Sequence, residues 1–192
     1  MIDRPSDNDI YFLPQKPYCC ALGSLKDQLL YPSMDTINSH EGHVLNSTWQ
    51  SRTFLSDRDI LDIFDKIDLA ELPLRAGNGN ALEGLSVIND WGKILSLGEQ
   101  QRLAFGRILV NRPLFVILDE ATSALDTNAE KNMYSLLNGT TQKITYVSVG
   151  HRPSLLEFHV SKLTLKGIEG HSLEDIHNKF TNTSGSDGSL LS

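Results

Sequence analysis

The feature that most constrains the fold is the apolar run Leu114–Leu118, which follows Pro113 and ends on Asp119 and Glu120. Such a run between a proline and two acids predicts a buried strand of a parallel sheet. Parallel α/β sheets bind ligands at the carboxyl ends of their strands, where Asp119 and Glu120 fall. One carboxylate there can hold Mg²⁺, directly or through water, and the other can orient or deprotonate an attacking water. The alternative is a pair of solvated loop acids.

A helix start precedes this strand. Ser96 is followed three residues later by Glu99, a capping-box pattern, and good helix formers follow over Gln100–Ala104, so a helix is predicted over Ser96–Asn111. Gly98 falls in the first turn, where a missing side chain lets another group approach the backbone. The free N–H groups, the hydroxyl and the glycine suit this helix start to anion binding, although an ordinary capped helix would show the same pattern.

A second strand is predicted further along the chain. A helix over Thr127–Leu137, with Asp126 or Thr127 at its start, leads to the β-branched run Ile144–Val149. His151 follows that run, so it also sits at the carboxyl end of a strand, the edge at which ligands bind. A lone histidine is more often structural, and that alternative stands beside a ligand contact.

The combination of these segments resembles the ATP-binding cassette (ABC) ATPases. Leu95–Glu99, LSLGE, resembles the signature motif LSGGQ and departs from it at Leu97 and Glu99. Val116–Glu120 resembles the Walker B strand with its catalytic glutamate, and Ser123–Asp126, SALD, resembles the D-loop. As the capping-box residue, Glu99 is expected to turn back to its own helix rather than face a phosphate.

Two longer strings narrow the resemblance to the subfamily D half-transporters. Gln15, between prolines after the predicted strand Ile10–Leu13, matches the Q-loop glutamine within FLPQKPY…LGSLKDQLLYP. His151 lies in SVGHRPSLLEFH and matches the switch histidine. Trp91, ahead of the signature, also fits subfamily D, and a packed aromatic is compatible with that pattern. Subfamily D includes peroxisomal fatty-acyl-CoA exporters, a cobalamin transporter, and bacterial and plastid relatives.

The resemblance implies ATP and Mg²⁺ as cofactors and assigns a role to each site residue. Glu120 would be the general base or water-orienting residue, and His151 would hold the γ-phosphate. Asp119 would serve Mg²⁺, and Gln15 would sense Mg²⁺ and the attacking water. The residues implied to contact nucleotide, besides Gln15, are Ser96, Leu97, Gly98 and Asp126.

The implied fold is α/β: part of a P-loop NTPase (RecA-like) parallel sheet with an inserted helical signature subdomain. Residues 1–167 would form this part of the ATPase domain, with the helical subdomain at about 24–95. Residues 168–192 are polar and are predicted to be a disordered tail.

Within the helical subdomain, Ser24–Leu30 and a segment beginning at Asp57 are predicted helices. The polar segment 33–56 is predicted to be a surface loop, and the glycine-rich segment Arg75–Gly84 a connection.

A phosphate loop, GxxxxGK[ST], is absent from the sequence, since Gly92-Lys93 is followed by Ile94. The resemblance therefore covers the C-terminal portion of the family's domain, and we expect a fragment, or a shortened natural product, that alone binds ATP poorly and hydrolyses it barely. In the family two domains stack head to tail and dock on a transmembrane domain, and these are the implied partners.

Composition bounds the setting of the chain. The formal net charge of −7 argues against a nucleic-acid partner. The adjacent Cys19 and Cys20 argue against a disulfide and favour a reducing compartment. No run of 18 apolar residues occurs, so membrane association would need a transmembrane segment missing from this chain. The domain would then face the cytosol or a plastid stroma. The resemblance does not determine which organelle this is.

Two other functions are compatible with parts of the sequence. A non-catalytic module that docks on a partner ATPase or on a transmembrane domain would not need a phosphate loop, but it would not need Glu120 and His151 either. A soluble ABC protein of the translation or DNA-repair kind is disfavoured by the subfamily D strings around Gln15 and His151 and by the acidic charge.

Overall fold

The computed structural model describes residues 10–31, 55–140 and 143–176. Its strands are β1 (Ile10–Leu13), β2 (Gly23–Ser24), β3 (Ile88–Asn89), β4 (Phe115–Asp119), β5 (Thr145–Val149), β6 (Ser161–Leu165) and β7 (His171–Asp175). Its α-helices are α1 (Leu25–Leu30), α2 (Asp57–Lys66), α3 (Glu71–Ala76), α4 (Ala81–Leu85), α5 (Trp91–Ile94), α6 (Leu97–Asn111) and α7 (Thr127–Asn138). The chain divides into two compact units, 1–150 and 151–192.

A three-stranded parallel sheet of order β1-β4-β5 is the centre of the first unit. The register pairs Leu13 with Leu118, and Asp119 with Val149, so the three strands end at a common edge. This confirms the predicted parallel strand, which begins at Phe115, one residue later than expected. The carboxyl end of β4 is therefore placed where α/β sheets bind ligands.

The two faces of this sheet differ in burial. Val116 and Leu118 of β4 are fully buried, whereas Phe12 and Val147, in one row across the sheet, remain about half exposed at 51% and 49%. Tyr134 of α7 supports the buried side, since its hydroxyl and the Ser148 hydroxyl of β5 are hydrogen-bonded at 2.9 Å. The prediction of a buried strand is therefore confirmed for one face of β4, at Val116 and Leu118.

Short helices with local caps precede the signature helix α6. Ser24 and Ser56 each form a full capping box with the aspartate three residues later, as serine before a helix favours. The start of the predicted helix at Ser24 is confirmed, and α2 begins at Asp57 as expected. These helices pack closely on α6, where a Cβ added to Gly106 would lie 2.7 Å from Leu29 Cδ1 and 2.9 Å from Ile67 Cδ1.

The segment Arg75–Gly84, predicted to be a connection, contains the end of α3 and most of α4. Asn80 begins α4 because its side-chain oxygen accepts hydrogen bonds from the backbone N–H groups of Leu82 and Glu83, at 3.1 and 3.3 Å. The prediction of a connection was therefore wrong for the residues in these two helices, since glycines around a capping asparagine are compatible with two short helices. The predicted loop 33–56 lies almost wholly outside the described residues.

The second unit contains a 3₁₀ helix, Pro153–Phe158, and an antiparallel hairpin of β6 and β7 that pairs Leu163 with Leu173. The 3₁₀ helix has Pro153 in its first turn, as the sequence suggested. Strand β7 lies within 168–192, so the predicted disordered tail was wrong for His171–Asp175. Its sequence, HSLED, has a single aliphatic residue, and such a polar strand carries little of the apolar signal on which prediction relies.

Within the described residues, the helices include none with the length and apolar character needed to cross a bilayer.

Candidate functional site

The carboxyl edge of the sheet holds the two predicted acids. Asp119 is the last residue of β4 and is partly buried. Glu120 follows it with φ 45°, a left-handed conformation that is uncommon for a residue with a side chain. Its N–H donates a hydrogen bond to the carbonyl of Val149, at 2.9 Å, and so ties it to the end of β5. Backbone strain of this kind costs about 1–3 kcal/mol and clusters at functional sites.

Gln15 reaches Glu120 across the fold. Its side-chain nitrogen donates a hydrogen bond to Glu120 Oε2 at 2.6 Å, although the two residues lie 105 positions apart in the chain. The structure therefore brings together two of the predicted site residues and places them beside Asp119. Within the described residues, no group of three or more His, Cys, Asp or Glu side chains is arranged to hold a metal ion.

Gln101 is bonded to the backbone of the candidate site residue Gln15, a contact that sequence reasoning missed. Its side chain is fully buried in α6, and its amide nitrogen donates to the backbone carbonyl of Gln15 at 2.9 Å and to Ser123 Oγ at 3.1 Å. Its amide oxygen accepts from the backbone N–H of Ala124 at 3.0 Å. Sequence reasoning treated it as a helix former; the signal available was a polar residue within an otherwise apolar helix face.

The N-terminus of α6 is capped as the sequence predicts. Ser96 Oγ accepts from the Glu99 N–H at 3.3 Å, and Glu99 Oε2 accepts from the Ser96 N–H at 2.8 Å. The expectation that Glu99 turns back to its own helix is confirmed. Arg75, which sequence reasoning did not single out, pairs with the other carboxylate oxygen at 2.9 Å.

The charge of Glu99 is stabilised where it stands. Burial raises the pKa of this carboxyl, but hydrogen bonds from the Ser96 N–H, the Arg75 guanidinium and the Ser96 hydroxyl, with the positive charge of Arg75, outweigh burial and lower the pKa below its ordinary value. The carboxylate stays ionised and is neutralised by Arg75, so this departure from the signature motif adds little net negative charge to the helix N-terminus.

Gly98 brings the first turn of α6 against the loop that follows Glu120. A Cβ added to Gly98 would lie 3.2 Å from the carbonyl oxygen of Ala124 and 3.6 Å from Leu125 Cδ2. Ser96 and Leu97 are exposed beside it. The absent side chain thus serves a close approach between two segments of the same unit.

Asp126 has a structural task. Its Oδ1 accepts hydrogen bonds from the N–H groups of Asn128 and Ala129, both at 2.9 Å, and so caps α7. This fits the predicted helix start, while the nucleotide contact implied for Asp126 stays a prediction.

Trp91 is buried, and its indole N–H donates to the Gly23 carbonyl at 2.9 Å. It is therefore a packed aromatic just ahead of the signature.

A buried arginine joins α6 to the segment after Gln15. Arg107 donates from Nε to the Gln28 carbonyl at 2.6 Å and from one terminal nitrogen to the Tyr18 carbonyl at 2.7 Å. Burial raises the pKa of the neighbouring Cys19 thiol, and the Arg107 charge opposes this only in part. Cys19 and Cys20 are both free.

His151 begins the second unit, two residues after the end of β5, and is exposed. Its place after a strand of the sheet agrees with the sequence expectation. Its role as a γ-phosphate contact stays a prediction.

The comparisons with known proteins identify the family. The family described as ABC transporter matches residues 30–123. An uncharacterized ABC transporter ATP-binding protein of Synechocystis is 39% identical over 92% of this chain. The chloroplastic ABC transporter D family member 2 of Arabidopsis thaliana is 37% identical over 86%, and the mouse lysosomal cobalamin transporter of subfamily D is 36% identical over 82%. The chain belongs to the ABC transporter family.

The structural comparison supports the fold of this ABC transporter segment. A bacterial Atm1-family ABC exporter, solved with ATP bound, matches 91% of this chain with a TM-score of 0.63 at 19% identity, and the match covers 27% of the exporter chain. The three relatives named above are much longer, and this chain spans 23–24% of their length. The chain thus corresponds to about a quarter of an ABC transporter, and subfamily D members are among its relatives.

Proposed function

We propose that this chain supplies two parts of an ATP-hydrolysing domain that drives membrane transport. The first is the carboxyl edge of the sheet with Gln15, Asp119 and Glu120, called here the hydrolytic edge. The second is Ser96–Gly98, called here the signature segment. The hydrogen bond between Gln15 and Glu120 carries the proposal, since it joins two distant residues at the carboxyl edge of a parallel sheet. An acid in a left-handed conformation at that edge supports it further. The family membership supplies ATP as the substrate class.

At this edge Glu120 would act on water. Its carboxylate would accept the proton of a water molecule that attacks the γ-phosphate, or would orient that water. Gln15 holds one of the two carboxylate oxygens by its amide nitrogen, which fixes the direction of the side chain. The strained backbone of Glu120, anchored on Val149, keeps the carboxylate at the strand end.

Mg²⁺ fits the donor set of this edge. Asp119 offers a carboxylate and Gln15 an amide oxygen, the hard ligands that Mg²⁺ prefers, with water completing its coordination. When bound, the ion would neutralise charge on the phosphates. We propose Asp119 and Gln15 as its protein contacts, and His151 as the group that holds the γ-phosphate.

The signature segment would serve the ATP of an opposite domain in a head-to-tail pair. Ser96, Leu97 and Gly98 surround the N-terminus of α6, where backbone N–H groups and the helix dipole favour an anion. The negative charge of Glu99 would repel a phosphate at this position, but the ion pair with Arg75 neutralises that charge. Asp126, in the loop that contacts Gly98, would lie near the same nucleotide.

The chain would depend on other segments for full activity. Its sequence contains no GxxxxGK[ST], the backbone cradle and lysine that hold the β- and γ-phosphates. We therefore propose weak ATP binding and little hydrolysis for these 192 residues alone. The partners would be a second ABC ATPase domain and a transmembrane domain, which would place this part at a membrane surface facing the cytosol or a stroma.

Complementation of a signature-deficient partner tests the proposal. The chain is titrated into the ATP-binding domain of a relative, such as the Synechocystis protein, that is chosen to contain GxxxxGK[ST] and carries a disabled signature motif. We expect the partner's ATPase rate to rise about tenfold or more, because Ser96–Gly98 complete its site, and Ser96→Arg to remove the gain.

Ser86→Arg, at the exposed end of α4, is the matched control and should leave the stimulation intact. A folded chain that binds the partner without stimulation would contradict the catalytic proposal and favour the docking module. A chain that neither binds nor stimulates would contradict both.

A further inference from the structure

We infer that Gln101 is a positioning residue that holds the Gln15 backbone and the loop after Glu120 in fixed relation to α6. The inference rests on the proposed function, since it concerns the same edge. The Gln101 side chain is 0% exposed, and both ends of its amide are used: two donated hydrogen bonds at 2.9 and 3.1 Å and one accepted at 3.0 Å.

The bond from Gln101 to the Gln15 carbonyl anchors a segment with few backbone donors. Pro14 and Pro17 flank this loop, and proline has no N–H to donate. The loop is held through one of its acceptors: the buried side chain of Gln101, 86 positions away in α6, donates a hydrogen bond to the Gln15 carbonyl. The direction of the Gln15 side chain toward Glu120 is therefore set partly by Gln101.

The other end of Gln101 fixes the far side of the same contact. Its bonds to Ser123 Oγ and the Ala124 N–H hold the chain three and four residues after Glu120. Gln101 thus forms hydrogen bonds with the backbone on both sides of the Gln15–Glu120 hydrogen bond, at the Gln15 carbonyl and the Ala124 N–H. The Ala124 carbonyl oxygen also lies close to Gly98, 3.2 Å from the position that a Cβ there would take, so the first turn of α6 and the hydrolytic edge share one anchoring residue.

Gln100 provides a matched control within the same helix. It is also buried, and its side-chain nitrogen donates to the Leu95 and Gly92 carbonyls at 2.9 and 3.2 Å. These partners lie just before α6, away from Gln15. If a buried glutamine were needed only for packing, substitution of Gln100 or Gln101 would have the same effect on Gln15 and Ala124. If Gln101 positions these residues, only its substitution should affect them.

The test follows two NMR signals in the ¹⁵N-labelled chain without nucleotide: the side-chain amide of Gln15 and the backbone amide of Ala124. In Gln101→Leu we expect the Gln15 side-chain amide to lose its hydrogen-bonded shift and the Ala124 amide to exchange about tenfold faster or more. Gln100→Leu should leave both signals at their native values.

Gln101→Glu separates the two ends of the side chain. A carboxylate still accepts from the Ala124 N–H but cannot donate to the Gln15 carbonyl. We expect Ala124 to stay protected while the Gln15 amide signal moves, and this variant decides the matter should Gln101→Leu fail to fold.

A native Gln15 signal in folded Gln101→Glu, or equal changes in Gln100→Leu, would overturn the inference. Because neither NMR signal requires ATP, the role of Gln101 can be tested even if the complementation experiment contradicts the proposed function.

Discussion

The N-terminus of α6 and the carboxyl edge of the sheet both hold polar side chains in place by hydrogen bonds, but the bonded residues are close in sequence at the first and far apart at the second. At α6 the capping bonds join Ser96 to Glu99, three positions apart. At the edge, Gln15 and Glu120 are 105 positions apart, and Gln101 and Gln15 are 86 apart. The segment proposed to bind the partner's ATP is thus formed by local sequence, while the edge proposed for hydrolysis exists only once the whole unit has folded.

This difference predicts different responses to mutation. A local cap lost at a helix end costs about 1 kcal/mol, because solvent can replace it. A buried long-range polar contact costs more, since its partners are left without water or protein to bond.

The largest effect is expected at Arg107, a residue that is 2% exposed and whose guanidinium donates hydrogen bonds to two distant carbonyls. Arg107→Leu leaves the Gln28 and Tyr18 carbonyls unpaired and should lower the free energy of unfolding by about 3 kcal/mol. Urea denaturation followed by circular dichroism measures this change. Arg58→Leu, on the exposed face of α2, is the control and should stay within about 0.5 kcal/mol of the native chain. A loss below 1 kcal/mol at Arg107 would remove the contrast between buried and local contacts.

A smaller effect is expected at Ser96. Ser96→Ala removes the hydroxyl of the capping box and should cost about 1 kcal/mol. The same denaturation experiment applies, with Ser86→Ala as the control because the Ser86 side chain lies at the exposed C-terminus of α4. A cost equal to that of Arg107→Leu would mean that the α6 cap is as tightly integrated as the buried contacts.

The smallest effect is expected at Glu99 and depends on pH. Its pKa is lowered in the folded chain, so its contribution is present above the ordinary carboxyl pKa and is lost as pH falls through the lowered value. Glu99→Gln should cost roughly 0.5–1 kcal/mol at pH 7, where the Arg75 partner is 59% exposed and screened by solvent. Thermal unfolding of both proteins between neutral and acid pH should show the gap closing as pH falls. A gap that widened in acid would contradict the sign of this shift.

Sequence reasoning reached the local features and missed the tertiary ones. It predicted the α6 cap, the turn of Glu99 toward its own helix, β4 and the start of α7, because each depends on neighbouring residues. It did not predict the left-handed backbone of Glu120, because φ there is imposed by the anchor on β5. Nor did it find Gln101, whose partners come from two other parts of the chain.

Two segments show the same limit for the fold. The short helix α4 was hidden among glycines, although Asn80 is a residue type that favours helix starts. Strand β7 was hidden because its polar sequence gains its pairing from β6 rather than from a hydrophobic pattern of its own.

The measurement that tests the central claim most directly is the ATPase rate of a chimera. A segment that contains GxxxxGK[ST], taken from the ATP-binding domain of a relative such as the Synechocystis protein, is joined to this chain ahead of Gln15. We predict that the chimera hydrolyses ATP and that Glu120→Gln lowers its turnover about 100-fold or more while ATP binding persists. Glu71→Gln, an exposed acid of α3, should leave the rate unchanged. A chimera that binds ATP yet hydrolyses it equally well with and without Glu120→Gln would contradict the role of this edge.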